Sequence, residues 1–158
     1  MRALRVSMIA LLALMASACL GNQSKLSRLQ DSAHNLNVAM RFGRMDIATE
    51  LVAPRSMSDF TQKHRGWGRE LRLIDVEFQG IQPRGEDATV LVAVGGQRHD
   101  EQDLRMTQLM QTWRYGTKGW KLIEEERVGG DFGLLGEQVE VLRPESRGDA
   151  HFRSITIR

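Results

Sequence analysis

The sequence is poor in cysteine, proline and tyrosine: among 158 residues there are one Cys, three Pro and one Tyr. A single thiol cannot form an intramolecular disulfide, which excludes the small secreted domains that disulfides hold together. The chain length suits one domain with its own hydrophobic core. The fold must therefore rest on apolar burial and hydrogen bonds, and the lone cysteine needs another explanation.

An excess of charge of either sign is also lacking once the N-terminal segment is set aside. The chain has 22 Lys and Arg against 20 Asp and Glu, and the first 18 residues hold Arg2 and Arg5 but no acid. The remainder therefore balances at 20 basic and 20 acidic residues. Because a neutral domain has no general electrostatic attraction for phosphate, no nucleic-acid partner is expected.

Residues 1–18 follow the plan of a secretory signal peptide. Arg2 and Arg5 give a positive start, and Val6 to Met15 is apolar except for Ser7. A membrane-spanning helix needs about 20 apolar residues, so this run is too short for a comfortable span. The segment is predicted to direct export and then to be removed.

The residues that end this leader carry the most specific motif in the chain. Ala16-Ser17-Ala18-Cys19 resembles the lipobox of bacterial lipoproteins, although Leu is commonest where Ala16 stands. The resemblance implies a diacylglycerol on the Cys19 sulfur, cleavage between Ala18 and Cys19, and acylation of the new amine by a fatty acid such as palmitate. Several acyl chains make membrane attachment effectively permanent. The alternative is an ordinary signal peptide cut after Ala18, with Cys19 incidental.

The residue after the cysteine indicates the destination. In Gram-negative lipoproteins an Asp there tends to retain the protein in the inner membrane, and here the residue is Leu20. The resemblance therefore implies an outer-membrane lipoprotein whose domain faces the periplasm. Residues 19–25 would be the lipidated cysteine and a short tether. Because the six residues after Cys19 reach roughly 20 Å at full extension, the domain is expected to lie close to the membrane.

Helical periodicity comes first in the rest of the chain. Apolar residues recur at spacings of three and four from Lys25 to Phe42, and a second short helix is predicted from Met45 to Val52. Pro54 ends that second helix. A third short helix is predicted from Ser56, whose hydroxyl would cap it, to about His64.

The pattern then changes to the alternation typical of strands. On the third predicted strand Leu104, Met106 and Met110 share one face, and Leu109, Trp113 and Tyr115 share the other. On the fourth strand, Trp120, Leu122 and Glu124 are expected to alternate. The predicted strands are 71–78 with a bulge, 88–94, 104–115, 120–124, 138–142, and one marked by Phe152, Ile155 and Ile157.

Two stretches resemble the NTF2-like family, which includes SnoaL-like and ketosteroid-isomerase-like proteins. Val38-Ala39-Met40-Arg41-Phe42-Gly43-Arg44-Met45-Asp46-Ile47-Ala48 looks like its helix, glycine turn and second helix. Thr112-Trp113-Arg114-Tyr115-Gly116-Thr117-Lys118-Gly119-Trp120-Lys121-Leu122 looks like its closing hairpin. The resemblance implies an α+β fold, an NTF2-like (cystatin-like) cone with N-terminal helices on a curved antiparallel sheet of four to six strands. The domain would span 26–142, leaving 143–158 as a tail with an added strand.

The sequence contains few residues that could serve in catalysis or bind a metal. In ketosteroid-isomerase-like proteins an aspartate abstracts a proton while a tyrosine or a protonated acid holds the oxyanion. The only tyrosine here is Tyr115, with Asp59, His64 and Asp75 as candidate partners. Asp59 suits a helix start, Asp75 is expected to face solvent, and His64 lies between two bases. No catalytic residue is assigned, and neither a metal site nor a cofactor is expected because the histidines are scattered and Cys19 is the sole cysteine.

Two functions remain open from the sequence. The first is a non-catalytic envelope lipoprotein that binds a partner protein or a small apolar ligand. The alternative is a SnoaL-like or ketosteroid-isomerase-like enzyme, an isomerase or hydrolase, which a buried carboxylate or histidine beneath the helices would favour. A homodimer through the sheet face is a further partner prediction, with Leu109, Trp113 and Trp120 either at that interface or in the core. The candidates for a pocket or interface are Asp59, Trp113, Tyr115 and Trp120.

Overall fold

The computed structural model of the protein describes residues 24–138. The predicted signal peptide, the cleavage site at Ala18 and Cys19, and the predicted strands after Gln138 lie outside these residues. The cluster of buried apolar side chains runs from Leu29 to Leu135. A chain that begins after Cys19 therefore retains this whole core.

Three α-helices precede the sheet: α1 (Lys25–Arg41), α2 (Met45–Glu50) and α3 (Met57–Lys63), the last entered through a 3₁₀ turn (Pro54–Ser56). Helix α1 begins where the Ser24 hydroxyl accepts a hydrogen bond from the Ser27 N–H at 3.1 Å. This is the usual way of satisfying a free N–H at a helix start. The helix boundaries agree with the sequence predictions to within two residues at every end.

The end of α1 is fixed by a contact between two glycines. Gly43 has a φ of +68° and Gly68 a φ of +75°, a backbone region that side chains with a Cβ rarely adopt. A Cβ built on Gly68 would lie 2.8 Å from the Gly43 Cα. The loop before the sheet can therefore approach the turn between α1 and α2 only because both positions are glycine.

Four antiparallel strands follow in chain order as one sheet: β1 (Leu71–Arg84), β2 (Asp87–Arg98), β3 (Leu104–Gly116) and β4 (Gly119–Gly130). The β1–β2 and β3–β4 turns lie at one end of the sheet, together with the start of α1. The β2–β3 turn lies at the other end. We call the first end the Ser24 end; it comprises Ser24, the start of α1, the 50–55 segment and the turns at 84–87 and 116–121.

One face of the sheet packs against the helices and forms the core. Alternate residues of β2 and β3, including Val90, Val92, Leu109 and Trp113, are fully buried there. Burying each such side chain contributes roughly 1.5–3 kcal/mol relative to exposure. The buried side chains that α1 adds are Leu29, Ala33, Leu36 and Met40. The predicted faces of the third strand and the predicted bulge in the first strand, seen as a register shift between Leu73 and Asp75, are confirmed.

The outer edge of β4 is covered by residues 53–63, which precede the whole sheet in the chain. The Ala53 N–H donates to the Leu122 carbonyl at 2.8 Å. The Ser56 hydroxyl donates to the Ile123 carbonyl at 2.6 Å, and the Lys63 ammonium donates to the Glu125 carbonyl at 2.8 Å. The predicted capping role of Ser56 is therefore wrong, because its hydroxyl bonds the sheet and makes no capping bond to α3.

The α+β class fits the structure loosely, but the expected NTF2-like cone is wrong. The described residues form a plain four-stranded meander with a few helices. Each strand is joined to the next through a short turn, so neighbours in the sequence become neighbours in the sheet. The two stretches behind the expectation specify a helix, a glycine turn and a hairpin, which are local elements compatible with several α+β arrangements.

None of the helices within residues 24–138 combines the length and apolar character that crossing a membrane requires.

Candidate functional site

A groove of about 1020 Å³ lies between α2 and α3. Met45 and Thr49 of α2 form one wall, and Met57 of α3 forms the other. Pro54 lies at one end and Trp67 at the other. This volume is at the upper limit of the range that ligand sites usually occupy, and such sites are mostly apolar with few polar groups.

Two guanidinium groups border the groove at its Trp67 end. Arg65 and Arg69 both line it, and both are exposed. Neither side chain has a hydrogen-bond or ion-pair partner within residues 24–138. Apolar walls beside two unpaired cations suit a ligand with an apolar body and an anionic group.

The Trp67 end is held rigidly. The Trp67 indole N–H donates to the Leu134 carbonyl at 2.5 Å, which ties the loop before β1 to the segment after β4. The Trp67 ring also meets the His64 ring edge-on, with 4.4 Å between the centroids. The arginines at positions 65 and 69 flank this fixed tryptophan, so their backbone positions are set before any ligand binds.

A chain of buried polar side chains runs through the core behind the groove. Asn37 of α1 and Gln111 of β3 exchange two hydrogen bonds, at 3.1 Å and 3.0 Å. Gln111 also donates to Oε1 of Glu125 on β4 at 2.7 Å. Oε2 of Glu125 lies 2.7 Å from Nε2 of His64, and Nδ1 of His64 lies 2.7 Å from the Phe60 carbonyl. The chain thus joins α1, the sheet and α3.

The arrangement fixes where one proton must be. The Phe60 carbonyl can only accept, so Nδ1 of His64 carries a hydrogen. Nε2 of His64 and Oε2 of Glu125 have no other hydrogen-bond partner in the described part of the chain. Two lone pairs at this distance would repel, so a second proton lies between Nε2 and Oε2. The pair is an imidazolium facing a carboxylate, or the neutral equivalent.

The pKa of Glu125 reflects this contact. Burial alone would raise the pKa of this carboxyl, because the charged form loses its hydration. The charge and hydrogen bond of His64, the hydrogen bond from Gln111 and the charge of Lys63 together outweigh burial and hold the pKa of Glu125 below its usual value. The lowered pKa favours the carboxylate form of Glu125.

The pair is closed to a substrate. The His64 and Glu125 side chains are 0% and 2% exposed, and each of their polar atoms already faces a protein group. A general acid or base needs an atom within hydrogen-bond reach of the reacting proton. The buried histidine and carboxylate that would favour an enzyme are thus present, but their geometry is that of a structural link between α3 and β4.

The residues predicted from the sequence as candidate sites do not converge. Asp59 is exposed and pairs with Lys63 of its own helix at 2.8 Å. Asp75 is exposed on β1 and accepts a hydrogen bond from the next backbone N–H. Tyr115 lies at the Ser24 end, with its ring centroid 5.3 Å from that of Trp120. Leu109, Trp113 and Trp120 are buried, so they belong to the core.

Glu125, Gln111 and Asn37 were not identified as buried polar residues from the sequence. Alternation from Trp120 and Leu122 predicted that Glu124 points inward, which is wrong. A register shift opposite Thr112 and Trp113 inserts Ile123 as an extra residue, so Glu125 takes the inward position. The available signal was Gln111, a polar residue on the apolar face shared by Leu109 and Trp113.

Within residues 24–138, no three His, Cys, Asp or Glu side chains lie close enough together to hold a metal ion.

Comparisons with known proteins bear on the fold alone. No protein-family model matches the chain, and a search of curated proteins gives no match. Among solved structures, a SEC-C motif containing protein from Rhodopseudomonas palustris is similar, with 19% identity and a TM-score of 0.51. The match covers 59% of this chain and 73% of that one. The similarity to this neighbour supports an α+β fold. Together with the strand order, it is the reason for rejecting the NTF2-like expectation.

Proposed function

We propose that this protein is a lipid-anchored protein of the bacterial cell envelope whose domain binds a small ligand, without catalysis, in the groove between α2 and α3. The observation that carries the binding role is the combination of apolar walls with the unpaired guanidinium groups of Arg65 and Arg69. The ligand expected there has an apolar body and one anionic group, as an acyl carboxylate does. The anchor is the acylated thiol of Cys19, with the domain in the periplasm at the outer membrane.

The anchor is supported by the sequence before the domain. The leader, the small residues before Cys19 and the Leu20 that follows fit lipidation and transport to the outer membrane. Helix α1 begins at Lys25, so the domain follows the cysteine almost directly. Such a protein would bind ligands that are dilute in the periplasm, or ligands that have left a membrane.

The absence of catalysis is supported by the closed geometry of the buried pair. His64 borders the groove, but its side chain is fully buried and its two nitrogens face Phe60 and Glu125. A ligand in the groove would therefore find no free base. Binding needs only the walls and the cationic border.

The ligand role is tested with anilinonaphthalene sulfonate, a fluorescent probe that has an apolar body and one anionic group. The probe is expected to bind the chain and to be displaced by dodecanoate, and less well by dodecanol. Arg65→Ala and Arg69→Ala should each weaken dodecanoate binding about tenfold, which corresponds to about 1.4 kcal/mol for a charge-assisted contact.

The matched control is Arg72→Ala, because Arg72 is exposed on β1 and does not line the groove. It removes the same charge and should leave dodecanoate binding unchanged. Equal affinities for all three variants and the unaltered chain would contradict the proposed site.

The anchor is tested by the intact mass of the protein purified from membranes. We expect a chain that begins at Cys19 and carries the mass of diacylglycerol and one further acyl chain. The Cys19→Ala protein should not be acylated. It should therefore leave the membrane fraction and become soluble, or it should keep its leader uncleaved. An unmodified Cys19 thiol on the native protein would refute the anchor but would leave the groove untouched.

A further inference from the structure

Positive charge is concentrated at the Ser24 end of the molecule. The turns at 84–87 and 116–121, the 50–55 segment and the start of α1 bring six basic residues together with three acids, and Arg114, two residues before the β3–β4 turn, adds a seventh base. The basic residues are Lys25, Arg28, Arg55, Arg84, Arg114, Lys118 and Lys121, and the acids are Glu50, Glu86 and Asp87.

Part of this charge is engaged inside the domain. Lys25 pairs with Glu86 at the start of α1, and Arg114 pairs with Asp87 through two hydrogen bonds, at 2.6 Å and 3.0 Å. These contacts use two of the three acids and leave an excess of cations. The first pair connects the β1–β2 turn to the start of α1, and the second connects the start of β2 to β3.

The tips of the two turns carry cations that are not engaged. Arg84 and Lys118 are exposed, and their side chains have no hydrogen-bond or ion-pair partner in residues 24–138. Arg84 precedes the β1–β2 turn, and Lys118 lies in the β3–β4 turn. Both residues therefore lie exposed at the same end of the sheet.

The opposite end of the sheet has a different character. The β2–β3 turn contains Asp100, Glu101 and Asp103. Its neighbours Arg98 and Arg105 are engaged, because Arg98 lies 3.1 Å from Asp100 and Arg105 lies 2.5 Å from Glu101. The two ends therefore differ in their turns: the β2–β3 turn carries three acids and pairs its neighbouring arginines, although Arg65 and Arg69 lie near this end, where the His99 N–H donates to the Glu70 carbonyl.

The tether leaves the domain at the cationic end. Ser24 caps α1 there, and Trp120 near the β3–β4 turn donates its indole N–H to the Lys25 carbonyl at 2.8 Å. The residues between Cys19 and the helix reach at most roughly 20 Å, so a lipidated cysteine keeps this end nearest to the bilayer. This step rests on the proposed lipid anchor.

We infer that the Ser24 end is a membrane-docking surface for anionic phospholipid headgroups, with Arg84 and Lys118 contacting their phosphates. Cations near a charged bilayer are attracted within about a Debye length, roughly 8 Å at physiological ionic strength. Docking in this direction sets the strands upright on the membrane. The acidic β2–β3 turn then points away, and the groove beside the helices opens sideways.

Vesicle binding by the chain that begins at Leu20 tests the surface without the lipid. It should cosediment with phosphatidylglycerol vesicles at low salt, and not with phosphatidylcholine vesicles. The double variant Arg84→Gln and Lys118→Gln should lose roughly twentyfold or more in affinity, at about fivefold per cation. The charge-matched control Arg41→Gln and Arg72→Gln, on other exposed positions, should lose little.

Orientation is tested on the lipidated full protein in phosphatidylglycerol vesicles. Because Cys19 is the only cysteine, a label at Thr117→Cys or at Gln102→Cys reports one position. Thr117 lies in the β3–β4 turn and Gln102 in the β2–β3 turn. We expect quenching by headgroup-attached quenchers for the label at 117 and none for the label at 102.

The two experiments separate failure of the surface from failure of the anchor. Equal vesicle binding by the double variant and its control, or equal quenching at both labels, overturns the docking surface even where Cys19 is acylated. Binding to phosphatidylcholine as strong as to phosphatidylglycerol overturns it as well. If Cys19 proves unmodified, the proposed anchor fails, while salt-sensitive vesicle binding through Arg84 and Lys118 would still support the surface.

Discussion

Nε2 of His64 lies 2.7 Å from Oε2 of Glu125, and both side chains are buried between α3 and β4. This contact joins the segment that carries the groove to the sheet that carries the core. The net value of a buried ion pair is small, but removing one partner leaves the other charge without compensation. The pair is therefore a sensitive point of the fold.

Removing either partner should destabilise the domain strongly. We expect Glu125→Ala and His64→Ala each to lower the free energy of unfolding by about 3–5 kcal/mol. The double variant should lose clearly less than the two single losses combined, because neither charge is then left alone. Urea unfolding of the four proteins measures this coupling, and simple additivity would show that the two side chains do not interact.

Acid should weaken the contribution of Glu125. Its pKa is lowered in the folded state by His64, Gln111 and Lys63 against the effect of burial. A lowered folded pKa means stabilisation that is complete above the unfolded pKa and is lost as pH falls through the folded pKa. The advantage of the unaltered protein over Glu125→Gln in free energy of unfolding should therefore shrink as pH drops below the unfolded value of 4.5. An advantage that grows toward acid pH would contradict the assignment.

The contact between Gly43 and Gly68 should not tolerate a methyl group. At Gly68 the φ of +75° and the 2.8 Å approach of the added Cβ to the Gly43 Cα act together. Gly68→Ala should cost about 2 kcal/mol or more, since strained backbone and overpacking each cost 1–3 kcal/mol. Thermal unfolding measures the loss. Gly80→Ala is the control, because nothing lies within 4 Å of a Cβ at that position.

The Ser56 hydroxyl should stabilise the sheet edge and not the start of α3. Ser56→Ala removes its hydrogen bond to the Ile123 carbonyl and should cost about 1 kcal/mol. Hydrogen exchange should then accelerate along β4 near Leu122 more than in the first turn of α3. The control is Ser58→Ala, because Ser58 is exposed on the same helix, and this change should have little effect. If Ser56→Ala accelerated exchange only in α3, the Ser56 hydroxyl would be a helix cap after all.

Periodicity in the sequence was sufficient for the helices, the first strand's bulge and the two faces of β3, because those features depend on neighbouring residues. Trp113 and Leu109 sit where their alternation placed them. Glu125 was missed because the bulge at Ile123 arises from pairing between β3 and β4, which no single strand reveals. The NTF2-like expectation failed for a related reason: a hairpin and a helix pair are short-range features, whereas the packing of the sheet is a long-range one.

The groove could not be located from the sequence at all. Its walls come from α2, α3 and the loop that carries Trp67, and the Gly43 and Gly68 contact brings these together. Arg65 and Arg69 look like any solvated bases until their surroundings are known. Only the three-dimensional arrangement shows that both cations border an apolar surface.

The hydrogen bonds of Ala53, Ser56 and Lys63 to the carbonyls of β4 also bear on how copies of this protein behave side by side. The proposed lipid anchor would confine copies of this protein to two dimensions and raise their local density, which favours pairing between exposed strand edges and aggregation. Here the last strand is already occupied by its own chain, and the first is kinked by register shifts and contains Pro83. Neither of these strands therefore offers a neighbouring copy a regular free edge on which to add a strand.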